Sequence, residues 1–179
     1  IKAATALIHS DRNIILLLVG DGPMNCELKN LALDLGIERN VRFVGSRPHF
    51  EIPVWINASD IVVQPSLSEG FGLVPIEALA CGKPIVVTMV DALMEIAKDK
   101  SYAMTVPVLD SHELSNAIES VLSRTWNPQP MVKRAEQYSW KTVKDRILLE
   151  YMEVLGEQGS VLYAAAGSVR RSCLVSSHH

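Results

Sequence analysis

The sequence predicts an α/β fold built on a parallel, doubly wound sheet, with helices covering both faces. Short apolar runs rich in β-branched residues alternate with helical patterns along the chain. Residues 61–87 have the order strand, glycine-bearing loop, short helix and strand, which is one βαβ unit. Residues 13–19 include five consecutive Ile and Leu residues, typical of a parallel strand buried on both faces.

Length and composition restrict the class of protein. The 179 residues suffice for one domain with a proper core. A net charge of −3 provides no basic surface for nucleic acid, and no apolar run approaches the ~20 residues that span a bilayer. We expect a cytoplasmic protein, because the chain opens without a signal-peptide pattern. Its three cysteines, Cys26, Cys81 and Cys173, are widely spaced and predict reduced thiols rather than disulfides or a metal site.

The first third of the chain predicts two strands, each followed by a turn and a helix. Asp21 lies in the first turn, at the strand edge where α/β proteins bind ligands, but it is also an ordinary turn former. Trp55, in the helix expected at residues 50–58, is predicted to lie in the core rather than to form a stacking platform for a base. The expected elements are helix 2–9, strand 13–19, turn 20–23, helix 24–35, strand 41–44, turn 45–48 and helix 50–58.

The βαβ unit at residues 61–87 contains the candidate site. Gly70 and Gly72 allow a ligand to approach the backbone closely, since neither has a Cβ. The helix that begins near Gly72 presents free N–H groups and the positive end of its dipole to an anion. Pro75 fits only the first turn of this helix, and Gly82 ends it.

Two carboxylates flank this loop. Glu69 precedes the glycines, and Glu77 lies one turn inside the helix. Acidic side chains beside an anion site indicate that hydroxyl groups are bound there, as on a ribose or a sugar.

The stretch resembles group 1 retaining glycosyltransferases of GT-B fold. The resemblance rests on two glutamates separated by seven residues in one motif, Glu69-Gly70-Phe71-Gly72-Leu73-Val74-Pro75-Ile76-Glu77-Ala78-Leu79-Ala80-Cys81-Gly82-Lys83-Pro84. Further matches extend it in family order to about residues 1–125: Leu17-Leu18-Val19-Gly20-Asp21-Gly22-Pro23, Asn40-Val41-Arg42-Phe43-Val44-Gly45 and Ala58-Ser59-Asp60-Ile61-Val62-Val63-Gln64-Pro65-Ser66. It implies one Rossmann-like half of a GT-B fold, the C-terminal domain that holds the nucleotide-sugar donor.

The resemblance also assigns roles to residues of the motif. Glu77 is expected to bind the ribose hydroxyls, and Glu69, the candidate catalytic residue, to contact the donor hexose. Backbone groups of Gly70, Phe71, Gly72 and Leu73 are expected to hold sugar and phosphate. The turn formed by Gly45, Ser46 and Arg47 is expected under the base, where Arg47 stacks, meets a phosphate or is simply a surface arginine. No metal is expected, because the design requires none and no Asp-x-Asp site is present.

After Met89 the sequence departs from the family. Members carry a Gly-Gly-x-Pro-Glu segment here, whereas this chain has residues 90–96 without either glycine or the proline; only Glu95 can be aligned with the family's glutamate. The remaining expected elements are strand 102–108, a helix from Asp110 through Leu122, a break at Asn127-Pro128, helix 132–138 and helix 141–155.

In the family, the first strand of the domain ends in Gly-Arg and lies in the middle of the sheet. The start of this sequence offers no match to that strand. The tail offers a substitute, because residues 161–166 are apolar and are followed by Gly167, Arg170 and Arg171. We therefore expect a circularly permuted domain, with the tail as central strand and these arginines at the diphosphate; insertion into a neighbouring chain would give a swapped homodimer. The alternative is a disordered tail. The expected division is a donor-binding domain at 1–158, the tail at 159–175 and a cloning remnant at 176–179.

The leading hypothesis is thus the donor half of a retaining hexosyltransferase of polysaccharide biosynthesis. Its substrate is expected to be a UDP-, GDP- or ADP-hexose, with no other cofactor. The acceptor-binding domain has no counterpart in this sequence, so we expect a missing domain or partner subunit, little activity alone, and a membrane-peripheral location for the full enzyme. The alternatives are a non-catalytic nucleotide-binding or assembly module, favoured by the lost glycines, and a nucleotide-sugar epimerase, disfavoured by the Glu69–Glu77 motif.

Overall fold

The computed structural model describes residues 1–11 and 13–155. They belong to two units, one up to Glu136 and the other from Gln137 onward. The first unit contains the strands of the described chain, which form two parallel sheets. In the second unit, the described residues form one long helix, α8 (Trp140–Leu155), whose first turn is capped by the Ser139 hydroxyl accepting the Thr142 amide at 3.2 Å.

The first sheet has two strands, β1 (Leu16–Val19) and β2 (Val41–Gly45), paired from Leu16 opposite Val41. Helices α1 (Lys2–Ser10) and α2 (Asn25–Asp34) contribute Ala4, Ile8 and Ala32 to the core beside it. Burial of this apolar surface is the main term that stabilises the sheet.

The second sheet has the order β3-β4-β5, with β3 at Val62–Gln64, β4 at Ile85–Thr88 and β5 at Ala103–Val106. Every residue of the central strand β4 is buried, as expected for a parallel strand covered on both faces. Helix α6 (Ser111–Leu122) packs Ala117 and Val121 onto this sheet. Its N-terminus is capped by Asp110, whose carboxylate accepts the His112 and Glu113 amides.

The other helices are a 3-10 turn at His49–Glu51, α3 (Ile52–Asn57), α4 (Leu73–Ala80), α5 (Asp91–Ile96) and α7 (Pro128–Glu136). Helix α5 occupies the segment where the family's glycine loop is missing. Helix α7 begins four residues before the predicted position, because a proline fits the first turn of a helix. The Asn127 side chain accepts the Gln129 amide at 3.0 Å and so favours this start.

Among the described residues, strands β1 and β3 each have an edge without a neighbouring strand. Within the described chain, β1 pairs only with β2, and β3 only with β4. In a doubly wound sheet, a further parallel strand lies between two such edges. The prediction that residues 13–19 are buried on both faces is wrong for the described chain: Ile15 is 46% exposed and Val19 40% exposed. The strand itself is shorter, since the Asn13 amide bonds the Asp11 carboxylate in a turn.

Helix α1 packs against α6, and this contact connects the two sheets within the first unit. None of the helices in the described part of the chain is long and apolar enough to cross a membrane.

Gly72 determines how α4 starts. Its φ of +82° is left-handed, a conformation that glycine adopts without strain. A Cβ at this position would lie 2.8 Å from Ile96 Cδ1 and 2.9 Å from Leu93 Cδ2. Both side chains belong to α5 and are buried, so they have little room to move.

Replacing Gly72 with Ala is expected to lower the free energy of unfolding by about 1–3 kcal/mol, because the backbone is strained and the methyl group overpacks α5. Gly70→Ala is the matched control, since its Cβ would have no atom within 4 Å and its φ is not left-handed. Urea denaturation of both variants tests this. Equal stability of Gly72→Ala and Gly70→Ala would contradict it.

The tail, residues 159–175, lies outside the described residues, and its role as a central strand stays a prediction. If residues 161–166 pair with the open edges of β1 and β3, deletion of residues 160–179 leaves those backbone groups unpaired, at about 1–3 kcal/mol for each unmet group. We expect the truncated chain to lose cooperative thermal unfolding, whereas deletion of 176–179 alone has no effect. A soluble, cooperatively melting protein without residues 160–179 would refute the tail hypothesis.

Candidate functional site

The candidate site lies at the carboxyl ends of β2 and β3. These strands belong to the two different sheets, and ligands of α/β proteins bind at the carboxyl ends of parallel strands. The segment after β2 runs from Ser46 to His49, and the loop after β3 runs from Pro65 to Gly72. Helix α3, which follows the first segment, packs against α4, which follows the second. The two segments are therefore brought together by the packing of their helices.

Glu69 is held in place by its own loop. Its Oε1 accepts the Gly70 amide at 3.1 Å, and its Oε2 accepts Gln64 Nε2 at 3.3 Å. The same Gln64 nitrogen donates to Ser66 Oγ at 2.8 Å. The hydroxyl of the buried Thr88, at the end of β4, donates to the Ser66 carbonyl and ties the loop to the sheet. The side chain of Glu69 thus has a defined position before any ligand is present.

The N-terminus of α4 faces the same loop. Residues 70, 71 and 73 are exposed, with Phe71 at 55% and Leu73 at 61%. No described side chain caps α4, and Pro75 has no N–H, so the amides of the first turn are left for solvent or a ligand. Helix α4 begins at Leu73, as predicted, and Gly82, with a φ of +69°, follows its end.

Glu77 lies at the middle of α4 with a side chain that is 23% exposed. Its Oε1 is 2.8 Å from Nε2 of His49, which is 86% exposed and 28 residues earlier in the chain. Because a carboxylate only accepts, Nε2 carries the proton in this contact. Partial burial, and then the Glu77 carboxylate, raise the pKa of the Cys81 thiol one turn further along.

His49 was missed by the sequence analysis. The available signal is its position directly after the turn 45–48, which follows the carboxyl end of a predicted strand. A lone surface histidine in that place is not specific enough to be assigned a partner. Only the packing of α3 on α4 brings it to Glu77.

Arg47 has partners within its own segment. Its guanidinium lies 5.5 Å from the centroid of the Trp55 ring and donates to the Val44 carbonyl at 2.9 Å. This contact holds the turn against α3. Gly45, with a φ of +78°, accepts the Gly20 amide, and Ser46 is exposed beside it. The structure thus places all three predicted residues at the carboxyl end of β2, with the Arg47 side chain engaged by Trp55.

Two other acidic residues singled out by the sequence have structural partners. Asp21 accepts Asn25 Nδ2 and the Gly22 amide, each at 2.8 Å, and these bonds lower its pKa. Glu95 on α5 accepts Lys98 Nζ at 2.7 Å, and this bond and the Lys98 charge lower its pKa. The geometry favours the turn-forming interpretation of Asp21.

The predicted phosphate-binding arginines, Arg170 and Arg171, lie outside the described residues. Within residues 1–11 and 13–155, no group of three or more His, Cys, Asp and Glu side chains could hold a metal ion. Cys26 and Cys81 are free thiols, as the sequence analysis predicted.

A family model described as glycosyl transferases group 1 matches residues 1–139. The D-inositol 3-phosphate glycosyltransferase of Mycobacterium tuberculosis is 30% identical over 170 residues, covering 87% of this chain and 35% of the relative. Among solved structures, sucrose-phosphate synthase of Thermosynechococcus elongatus is 26% identical, with a TM-score of 0.72 over 86% of this chain and 42% of its own.

HepE of Anabaena, solved with UDP, is 26% identical, with a TM-score of 0.71 over 86% of this chain and 44% of its own. Its complex with UDP-glucose matches over 75% of this chain and 37% of its own, at 30% identity and a TM-score of 0.62. The chain thus spans about a third of the length of the curated relatives and less than half of these solved chains. With its α/β fold of parallel strands and the family match over residues 1–139, the chain belongs to the group 1 glycosyl transferases and comprises the C-terminal type of domain of their GT-B fold.

Proposed function

We propose that the chain is the donor-binding half of a retaining glycosyltransferase and holds a nucleoside diphosphate hexose at the carboxyl ends of β2 and β3. The observation that carries the proposal is the placement of Glu69 and Glu77 on either side of the uncapped N-terminus of α4. The UDP and UDP-glucose complexes of HepE, a relative of the same fold, support this class of ligand.

In this proposal Glu77 binds the ribose. A carboxylate accepts hydrogen bonds from two vicinal hydroxyls, one at each oxygen or both at one. Its second oxygen, Oε2, has no hydrogen-bond partner in the described chain, so it is available to a ligand. The partial burial of the side chain favours such bonds, because they are stronger where water is excluded.

The diphosphate is proposed to lie at the start of α4. The amides of Leu73 and Val74 and the helix dipole attract the negative charge. During transfer, the charge on the diphosphate grows as the bond to the sugar breaks, and dipoles that are already oriented stabilise it without reorganisation. Arg170 and Arg171 remain the proposed cationic partners. Arg47 is a proposed partner of base or phosphate once it leaves the Trp55 ring.

Glu69 is proposed to contact the hexose. Its carboxylate is oriented by Gln64 and by the Gly70 amide, and only part of its acceptor capacity is used in these bonds. An oriented carboxylate loses little freedom when a sugar hydroxyl binds to it. The acceptor is proposed to bind to a further domain or partner subunit, so this chain alone is expected to bind donor weakly and transfer little.

Calorimetric titration with UDP, GDP, ADP and their hexose conjugates tests the proposal. We expect saturable binding of one base series. Glu77→Gln is expected to weaken it by about tenfold or more, since a hydrogen bond to a charged group contributes about 1.5–3 kcal/mol. Glu119→Gln, on the exposed face of α6, is the matched control and should bind as the unchanged chain does.

Absence of saturable heat and of any thermal shift with all these ligands at millimolar concentration would overturn the proposal. The domain would then have a role that requires no nucleotide, and the alternative of a non-catalytic assembly module would be favoured.

Glu69→Gln separates the sugar from the nucleotide. If Glu69 contacts the hexose alone, the variant binds the free nucleoside diphosphate unchanged but loses about tenfold in affinity for the hexose conjugate. Competition titrations of the two ligands measure this difference. Equal losses for both ligands would place Glu69 at the nucleotide instead and contradict the assignment.

A further inference from the structure

We propose that His49 is a positioning residue for Glu77 and thereby makes the site selective for ribonucleotides over deoxyribonucleotides. This inference rests on the proposed function, in which Glu77 binds the ribose. It concerns a residue that neither the motif nor the sequence analysis singled out.

The geometry of the pair carries the proposal. His49 Nε2 donates to Glu77 Oε1 at 2.8 Å. Glutamate has three rotatable side-chain bonds, and its carboxylate samples several orientations unless it is held. A donor on Oε1 limits this sampling and leaves Oε2 to accept a hydroxyl. By bonding one oxygen, the histidine fixes the carboxylate and lowers the conformational entropy cost of binding a ribose hydroxyl at the other oxygen.

His49 is itself held on both sides. It begins a 3-10 turn in which the Glu51 amide donates to the Pro48 carbonyl at 2.9 Å. On the preceding side, the Arg47 guanidinium is held by the Trp55 ring and the Val44 carbonyl. The backbone of His49 is therefore held in place, although its side chain is 86% exposed.

The arrangement also joins the two sheets of the first unit at the candidate site. His49 follows β2 of the first sheet, and Glu77 lies on the helix that follows β3 of the second. A ligand that bonds Glu77 thus contacts a carboxylate whose orientation depends on both sheets. A surface contact with only a stabilising role would contribute little at such exposure. Its effect on ligand selectivity is therefore the informative quantity.

The test uses titrations of the full chain with UDP and with 2′-deoxy-UDP, or the same pair of GDP or ADP if that base binds. The unchanged chain is expected to prefer the ribonucleotide by about tenfold. His49→Ala is expected to weaken ribonucleotide binding about fivefold while changing deoxyribonucleotide binding less than twofold. His49→Gln, whose amide can donate in place of Nε2, is expected to restore most of the preference.

His112→Ala is the matched control, because His112 is also exposed and lies near a glutamate on α6. Its Nδ1 is 3.6 Å from Glu113 Oε1. It should leave both affinities unchanged. In a Glu77→Gln background, His49→Ala is expected to have no further effect on the preference, because the two residues act as one unit. Equal losses of both nucleotides in His49→Ala, or no loss of either, would overturn the proposal.

A ligand-free measurement separates this failure from failure of the proposed function. Nitrogen NMR of the imidazole rings reports the proton on His49 Nε2, and Glu77→Gln is expected to shift that resonance while His112→Ala does not. If the shift occurs but no nucleoside diphosphate binds, the contact exists and the proposed function fails, together with the selectivity built on it. If nucleotides bind and the preference is independent of His49, only the positioning role fails.

Discussion

The contact between Gly72 and helix α5 is the constraint on which the site depends. The start of α4 lies so close to Leu93 and Ile96 that no side chain fits between them. This approach determines where the first turn of α4 points, and with it the positions of the Glu69 loop before the turn and of Glu77 inside the helix. α7 packs on the same helix, so α4 is held from several sides. A ligand site that uses backbone amides requires such a rigid support, since amides cannot adjust independently.

Around this support, two long-range contacts and one within the loop segment organise the polar groups. Thr88 holds the loop at the Ser66 carbonyl, Gln64 orients Glu69, and His49 meets Glu77 from the other sheet. Each contact restricts a side chain or loop that would otherwise lose conformational freedom on ligand binding. The chemistry proposed for the site therefore depends as much on these positioning groups as on the two glutamates. The open edges of β1 and β3 lie in the two sheets that the site brings together, which connects the question of the central strand to the integrity of the site.

Much of this architecture could be predicted from the sequence, because its causes are local. Apolar runs located β2, β3 and β4, and the positive φ of Gly72 and Gly82 agrees with their expected places before and after α4. The family motif led to the confirmed family and fold, whereas the roles of Glu69 and Glu77 stay predictions. Helix α7 was placed too late, because Pro128 was taken only as a break although proline also fits a first turn. Helix α5 was not predicted, since its six residues form too short a pattern.

By itself the sequence determined the order of helices and strands, the family and the two carboxylates beside the start of α4, because periodicity, glycine and proline act over a few residues. Only the tertiary structure decided which groups these carboxylates meet. His49 and Glu77 are 28 residues apart, and Arg47 turns onto Trp55 rather than remaining free. The exposure of Ile15 and Val19 is likewise a tertiary property, because an apolar run shows that a strand is suited to burial and not that a neighbour covers it.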